Sequence, residues 1–174
     1  MSYRTFELKE LHDTVDKVTS TRVVESGDGG MLITEYGARL LGMFPDKELP
    51  NVLWVHRQAE SLISNASWLV GGERLWIAPE RNFYYENPRD FEGFHVPAGM
   101  DPGNYEGSDD LTYVNTYTLM DLKSNQLAEG TTMQRSFAPC DDPYGTGLAF
   151  AGTTIRDSIT VPGAELDFCA WSLA

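Results

Sequence analysis

Short runs rich in β-branched and aromatic residues recur along this chain, and nearly every one is cut off by Gly, Pro, Asn or Asp. Such runs are too short for ordinary helices and carry the residue types that fit a pleated, half-buried surface. The pattern therefore predicts an all-β protein, a sandwich or a barrel. Arg22-Val23-Val24-Glu25 and Met31-Leu32-Ile33-Thr34-Glu35-Tyr36 flank Ser26-Gly27-Asp28-Gly29-Gly30, whose glycines supply the positive φ that tight hairpin connections need. Arg39-Leu40-Leu41-Gly42-Met43-Phe44 follows, then a polar loop bracketed by Pro45 and Pro50, then Val52-Leu53-Trp54-Val55. Further strand-like runs lie at residues 75–77, 111–122, 131–137, 148–161 and 166–173. In Ile155-Arg156-Asp157-Ser158-Ile159-Thr160-Val161 the apolar residues share one parity, broken by Asp157, as in a half-buried strand. Before all of these, Leu8, Leu11, Val15 and Val18 stand at helical spacing and predict a short N-terminal helix.

With 174 residues and no internal repeat or low-complexity linker, residues 1–174 are read as one β-sandwich domain or the N-terminal part of one. Residues 82–110 are dense in Pro, Gly and Asp, and so long an excursion inside a domain is expected to be functional or to carry structure of its own. The last residues, through Phe168-Cys169-Ala170-Trp171-Ser172-Leu173, read as a strand with no turn or polar tail to blunt an apolar edge. The expectation is an incomplete fold, finished by missing sequence, by a complementary chain or by a second copy of the chain.

Charge narrows the partners. Thirteen Lys and Arg stand against 26 Asp and Glu, a net charge of −13 that repels phosphate backbones and anionic lipid surfaces. Neither nucleic acid nor membrane is an expected partner. Charged residues from Glu7 to Lys17 interrupt the N-terminal region, leaving no apolar stretch of signal-peptide or membrane-spanning length, so a cytoplasmic location is expected. Cys140 and Cys169 read as reduced thiols. No metal or cofactor is implied. The acidic stretch 101–110 has Glu106 where a calcium loop needs Gly, and there is no nucleophile elbow, P-loop, dinucleotide fingerprint or His-Glu-x-x-His.

The segment Gly71-Gly72-Glu73-Arg74-Leu75-Trp76-Ile77-Ala78-Pro79-Glu80-Arg81 concentrates glycines, arginines, carboxylates and an indole. That mixture suits a small-molecule sugar: the indole covers the C–H face of a pyranose, Arg and Glu bond its hydroxyls, and glycine lets the backbone approach. Arg74, Trp76 and Glu80 are the main binding candidates, with Arg39 and Arg81 behind them. The competing reading is a core Trp with Arg74 pairing Glu80 across a turn. His95, in Glu92-Gly93-Phe94-His95-Val96, is the candidate acid near neutral pH, against the alternative of an ordinary surface histidine.

Gly37-Ala38-Arg39-Leu40-Leu41, Asn51-Val52-Leu53-Trp54 and Gly72-Glu73-Arg74-Leu75-Trp76-Ile77-Ala78-Pro79-Glu80 together resemble the opening strands of the galactose mutarotase-like proteins. Met133-Gln134-Arg135 and Thr154-Ile155-Arg156-Asp157-Ser158-Ile159 extend the resemblance over most of the chain. It implies an antiparallel super-sandwich with a sugar cleft on one concave sheet, longer when complete than this chain. It also implies aldose 1-epimerase chemistry, in which a carboxylate takes the C1 hydroxyl proton while a histidine protonates the ring oxygen. The family's base glutamate comes from a later region, and its signature of His followed by aromatic and Asn residues does not occur here. Binding without turnover, as a glycan-binding module, and a purely structural subunit stand beside it as alternatives.

Overall fold

The computed structural model describes residues 5–163 and 165–174. Strands account for 42% of the chain against 12% helix, arranged in several antiparallel sheets, so strand pairing carries the fold. The chain opens with α1 (Leu8–Val15), whose Leu11 and Val15 are fully buried while Lys9 and Asp13 face out and pair with each other. Next come β1 (Thr21–Ser26) and β2 (Gly29–Thr34), joined by the two-residue turn Gly27-Asp28 with Gly27 at φ +58°, and β3 (Arg39–Phe44) completes a three-stranded sheet in the order β1-β2-β3.

β2 is buried at all six positions because it feeds two cores. Met31 and Ile33 join the larger cluster; Leu32 points the other way, with Leu41 and Phe44, onto Leu11 and Val15 of α1 and Ala59 and Ile63 of α2 (Ala59–Ser64). This two-sided demand explains why β2 reads as a continuous apolar run rather than an alternation.

Beyond α2 the chain forms β4 (Arg74–Ala78), the single turn α3 (Glu80–Phe83), a hairpin of β5 (Tyr85–Asn87) and β6 (Glu92–Phe94), and the short β7 (Glu106–Gly107). Residues 82–110 thus carry structure of their own. β8 (Thr112–Asp121), β9 (Gln126–Pro139) and β10 (Thr153–Thr160) then build a four-stranded antiparallel sheet in the order β10-β9-β8-β7. Its inner face sends Tyr113, Leu119, Met133, Phe137, Ile155 and Ile159 into the larger cluster, opposite Met31, Ile33 and Leu40.

The final strand, β11 (Cys169–Leu173), pairs antiparallel with β4 from Cys169↔Ala78 to Leu173↔Arg74. A bridge between Leu40 and Glu73 links this pair to β3. The apolar segment expected to be bare is therefore bonded along one edge, with Trp171 and Leu173 packed on the core; among the described residues its other edge has no strand. No helix among the described residues is long and apolar enough to cross a membrane.

Candidate functional site

Two fully buried arginines organise the region where β3 meets β4. Arg39 Nη2 donates to both carboxylate oxygens of Asp101, at 2.6 and 2.7 Å, and to Trp68 O, while Nη1 donates to Gly71 O. The Trp76 indole Nε1 donates to the same Asp101 carboxylate at 2.6 Å. On the other side of the Leu40–Glu73 bridge, Arg135 of β9 gives Nη2 to Glu73 at 2.8 Å, Nε to Asp157 at 2.8 Å and Nη1 to Ala38 O. Ser172 of β11 donates its hydroxyl to Glu73 at 2.6 Å. Burial alone would lower the Arg135 pKa, but Glu73 and Asp157 outweigh it and hold the guanidinium above its usual value. These networks satisfy most of the buried charge and staple β3, β4, β9, β10 and β11 together.

Gly71 and Gly72 make the junction sterically feasible. Their φ values are +97° and +71°, and a Cβ on them would lie 2.4 Å from Trp54 O and 2.6 Å from Leu40 O. The pair admits the chain's own backbone, not a ligand.

Arg74 stands outside these networks, within which Arg39 Nε is itself buried without a partner. The Arg74 side chain makes no hydrogen bond or ion pair among the described residues, and its Nε is buried without a partner. Its guanidinium carbon lies 4.7 Å from the Trp76 ring centroid and 6.0 Å from that of Trp68. Desolvation, with the nearby Arg39 charge, lowers its pKa, against the opposing pull of Asp101, Tyr84 and Glu73. Around it stands an aromatic wall. Trp76 is covered edge-on by Trp68 and Trp171 and lies tilted against Tyr84, and Phe94 stacks on Tyr84 at 6.2 Å. Trp76 and Tyr84 are buried, Trp68 and Trp171 are half-buried, and Phe94 is 42% exposed. The outcome is a partly open aromatic surface around an unsatisfied cation.

Of the residues singled out from sequence, Arg74 and Trp76 come together at this surface, with Arg39 directly behind through Asp101. Trp76 presents its ring to neighbouring side chains and not to solvent. Glu80 opens α3, past the far end of β4, and pairs with no arginine among the described residues; Arg81 is exposed and packs on Phe91. His95 is exposed, its amide bonded to Tyr84 O and its Nδ1 3.2 Å from Gly93 O. Trp68, Trp171 and Phe94 were not singled out, nor were Glu73, Asp101, Arg135 and Asp157 given roles. Two of these had a visible signal: Asp157 breaks the apolar parity of β10, and Arg135 sits on the inward parity of Met133 and Phe137.

Among the described residues no group of three or more His, Cys, Asp or Glu is placed to hold a metal ion. The fold and site thus define a β-rich protein with several antiparallel sheets and an arginine set in an aromatic wall. Compared with models of known protein families the sequence matches none, and searches among curated proteins and solved structures likewise return no match.

Proposed function

We propose that this chain binds a carbohydrate over the half-exposed Trp68, Trp171 and Phe94, anchored by Arg74. The observation that carries this reading is the unpartnered Arg74. Its Nε is sealed in, but its Nη groups are not, and with no protein acceptor among the described residues they are donors for a ligand carboxylate or hydroxyl. Exposed aromatic edges next to such a donor are what an amphipathic sugar ring needs. In this reading the opposed sheets are a sandwich of the galactose mutarotase-like kind. The free thiols of Cys140 and Cys169 accord with work in the cytoplasm.

Binding without turnover fits better than anomer exchange. Exchange needs a carboxylate base and an acid flanking one carbon. The carboxylates of Asp101 and Glu73, closest to Arg74 along the networks, are both engaged by buried arginines, and His95 has no carboxylate partner among the described residues. Titrating the chain with hexoses and hexuronic acids while following tryptophan fluorescence tests the proposal. Saturable quenching that weakens at least about tenfold in Trp171→Ala supports it; a flat response to every sugar removes it.

A further inference from the structure

A cleft of about 360 Å³ lies past the opposite end of β4 and is lined by Arg81, Asn87, Pro88, Arg89, Leu122 and Lys123. Acids outnumber bases two to one in this chain, yet three cations and no carboxylate line the cleft. Its wall is built from three places in sequence that are tied together. Arg81 of α3 donates Nε to Pro88 O at 2.6 Å and Nη2 to Arg89 O at 2.8 Å, with its guanidinium carbon 4.3 Å from the Phe91 ring centroid. The guanidinium is thereby fixed while Nη1 stays without a partner among the described residues. The β8–β9 turn that carries Lys123 is pinned to α3 by the bond from Leu122 N to Asn82 O. Two acids lie beside the cleft and are held by neutral donors: Asp121 accepts the Lys123 and Ser124 amides through Oδ1, and Asp90 accepts from Asn87 Nδ2. The side chains of Arg89 and Lys123 are exposed and make no ion pair among the described residues.

We propose that this cleft binds a compact oxyanion, the phosphate of a small phosphomonoester, between Arg81, Arg89 and Lys123. A fixed guanidinium edge with two exposed cations lining the same cleft gives the charge-assisted donors that a phosphate dianion takes. The volume admits a small molecule. The net charge of −13 disfavours extended polyanions and anionic bilayers, whose charges would meet the acidic surface around the cleft, so a small ligand is the occupant. The cleft lies beyond the opposite end of β4 from Arg74, a strand about 13 Å long, and the β5–β6 hairpin that lines it also carries Phe94 of the Arg74 surface.

Isothermal titration of the intact chain with inorganic phosphate and with glycerol 3-phosphate, at low salt and with chloride matched for ionic strength, tests the assignment. Saturable binding on the order of 1 mM or tighter is expected, weaker with added salt. The double variant Arg89→Gln/Lys123→Gln, which alters exposed side chains and leaves the melting temperature unchanged, is expected to weaken it at least tenfold. Undiminished binding in that variant, or no saturable binding of either probe, overturns the proposal. Co-sedimentation with phosphatidylserine vesicles that the double variant abolishes also overturns it, in favour of a lipid surface.

Discussion

Replacing Asp101 by Asn tests whether the buried arginine networks hold this fold together. The carboxylate is 4% exposed and receives three short bonds, two from Arg39 Nη2 and one from Trp76 Nε1. An amide keeps the shape but removes the charge, and its NH₂ group faces a donor at a distance where only an acceptor is tolerated. Arg39 is left with a full charge, no solvent and only neutral acceptors, the Gly71 and Trp68 carbonyls and at most the one amide oxygen. Breaking one side of a buried pair costs about 3–5 kcal/mol. For a chain of this size each kcal/mol moves the melting temperature by roughly 2–4 °C, so a fall of about 6–20 °C is expected. Thermal and urea unfolding followed by circular dichroism at pH 7 reads it, with Lys9→Ala as a control at an exposed pair worth at most about 0.5 kcal/mol. The double replacement Arg39→Met/Asp101→Leu, which removes both charges, recovers part of the loss. A loss below about 1 kcal/mol in Asp101→Asn refutes the assignment of a structural role to this network.

Gly72→Ala places a Cβ at 2.6 Å from Leu40 O on a backbone at φ +71°, and is expected to destabilise the chain by roughly 2–4 kcal/mol in urea unfolding; a neutral result contradicts the close approach. Stability should also fall at alkaline pH. Desolvation pushes Tyr36 up to about 12 and raises Tyr84, Tyr105 and Tyr117 as well. For a raised phenol the contribution is complete below the unfolded value near 10 and is lost as pH climbs through the folded value. Melts from pH 8 to 11.5 should therefore show a falling midpoint above about pH 10, with phenolate absorbance at 295 nm lagging behind that of unfolded protein. All eight tyrosines ionising together near pH 10 in folded protein contradicts it.

The sequence made the hairpin, the short helix and the β character readable, because each rests on local rules: Gly27 in a tight turn, Leu11 and Val15 on one helical face, Ile155 and Ile159 on one strand face. Pairing between distant segments is not local. Nothing near Trp171 indicates that it lies opposite Trp76, and nothing near Asp101 indicates that Arg39, 62 residues earlier, is its partner. Arg74 and Trp76 were legible as a chemically unusual pair, but whether an indole faces solvent or Tyr84 depends on residues that the chain brings in later. Asp157 shows how such gaps can be narrowed: a charge on the apolar parity of a strand announces a buried partner, here Arg135.

The proposed sugar site stands or falls with Arg74 as its anchor. Saturation-transfer NMR on the intact chain with a hexuronic acid and its neutral hexose, repeated with Arg74→Gln, tests it most directly. Transfer to the ring protons of both sugars is expected, with tighter binding of the acid and at least about tenfold weaker acid binding in Arg74→Gln, the fold unchanged by circular dichroism. Equal binding of acid and neutral sugar in both proteins, or no transfer to either sugar in the unaltered chain, contradicts it.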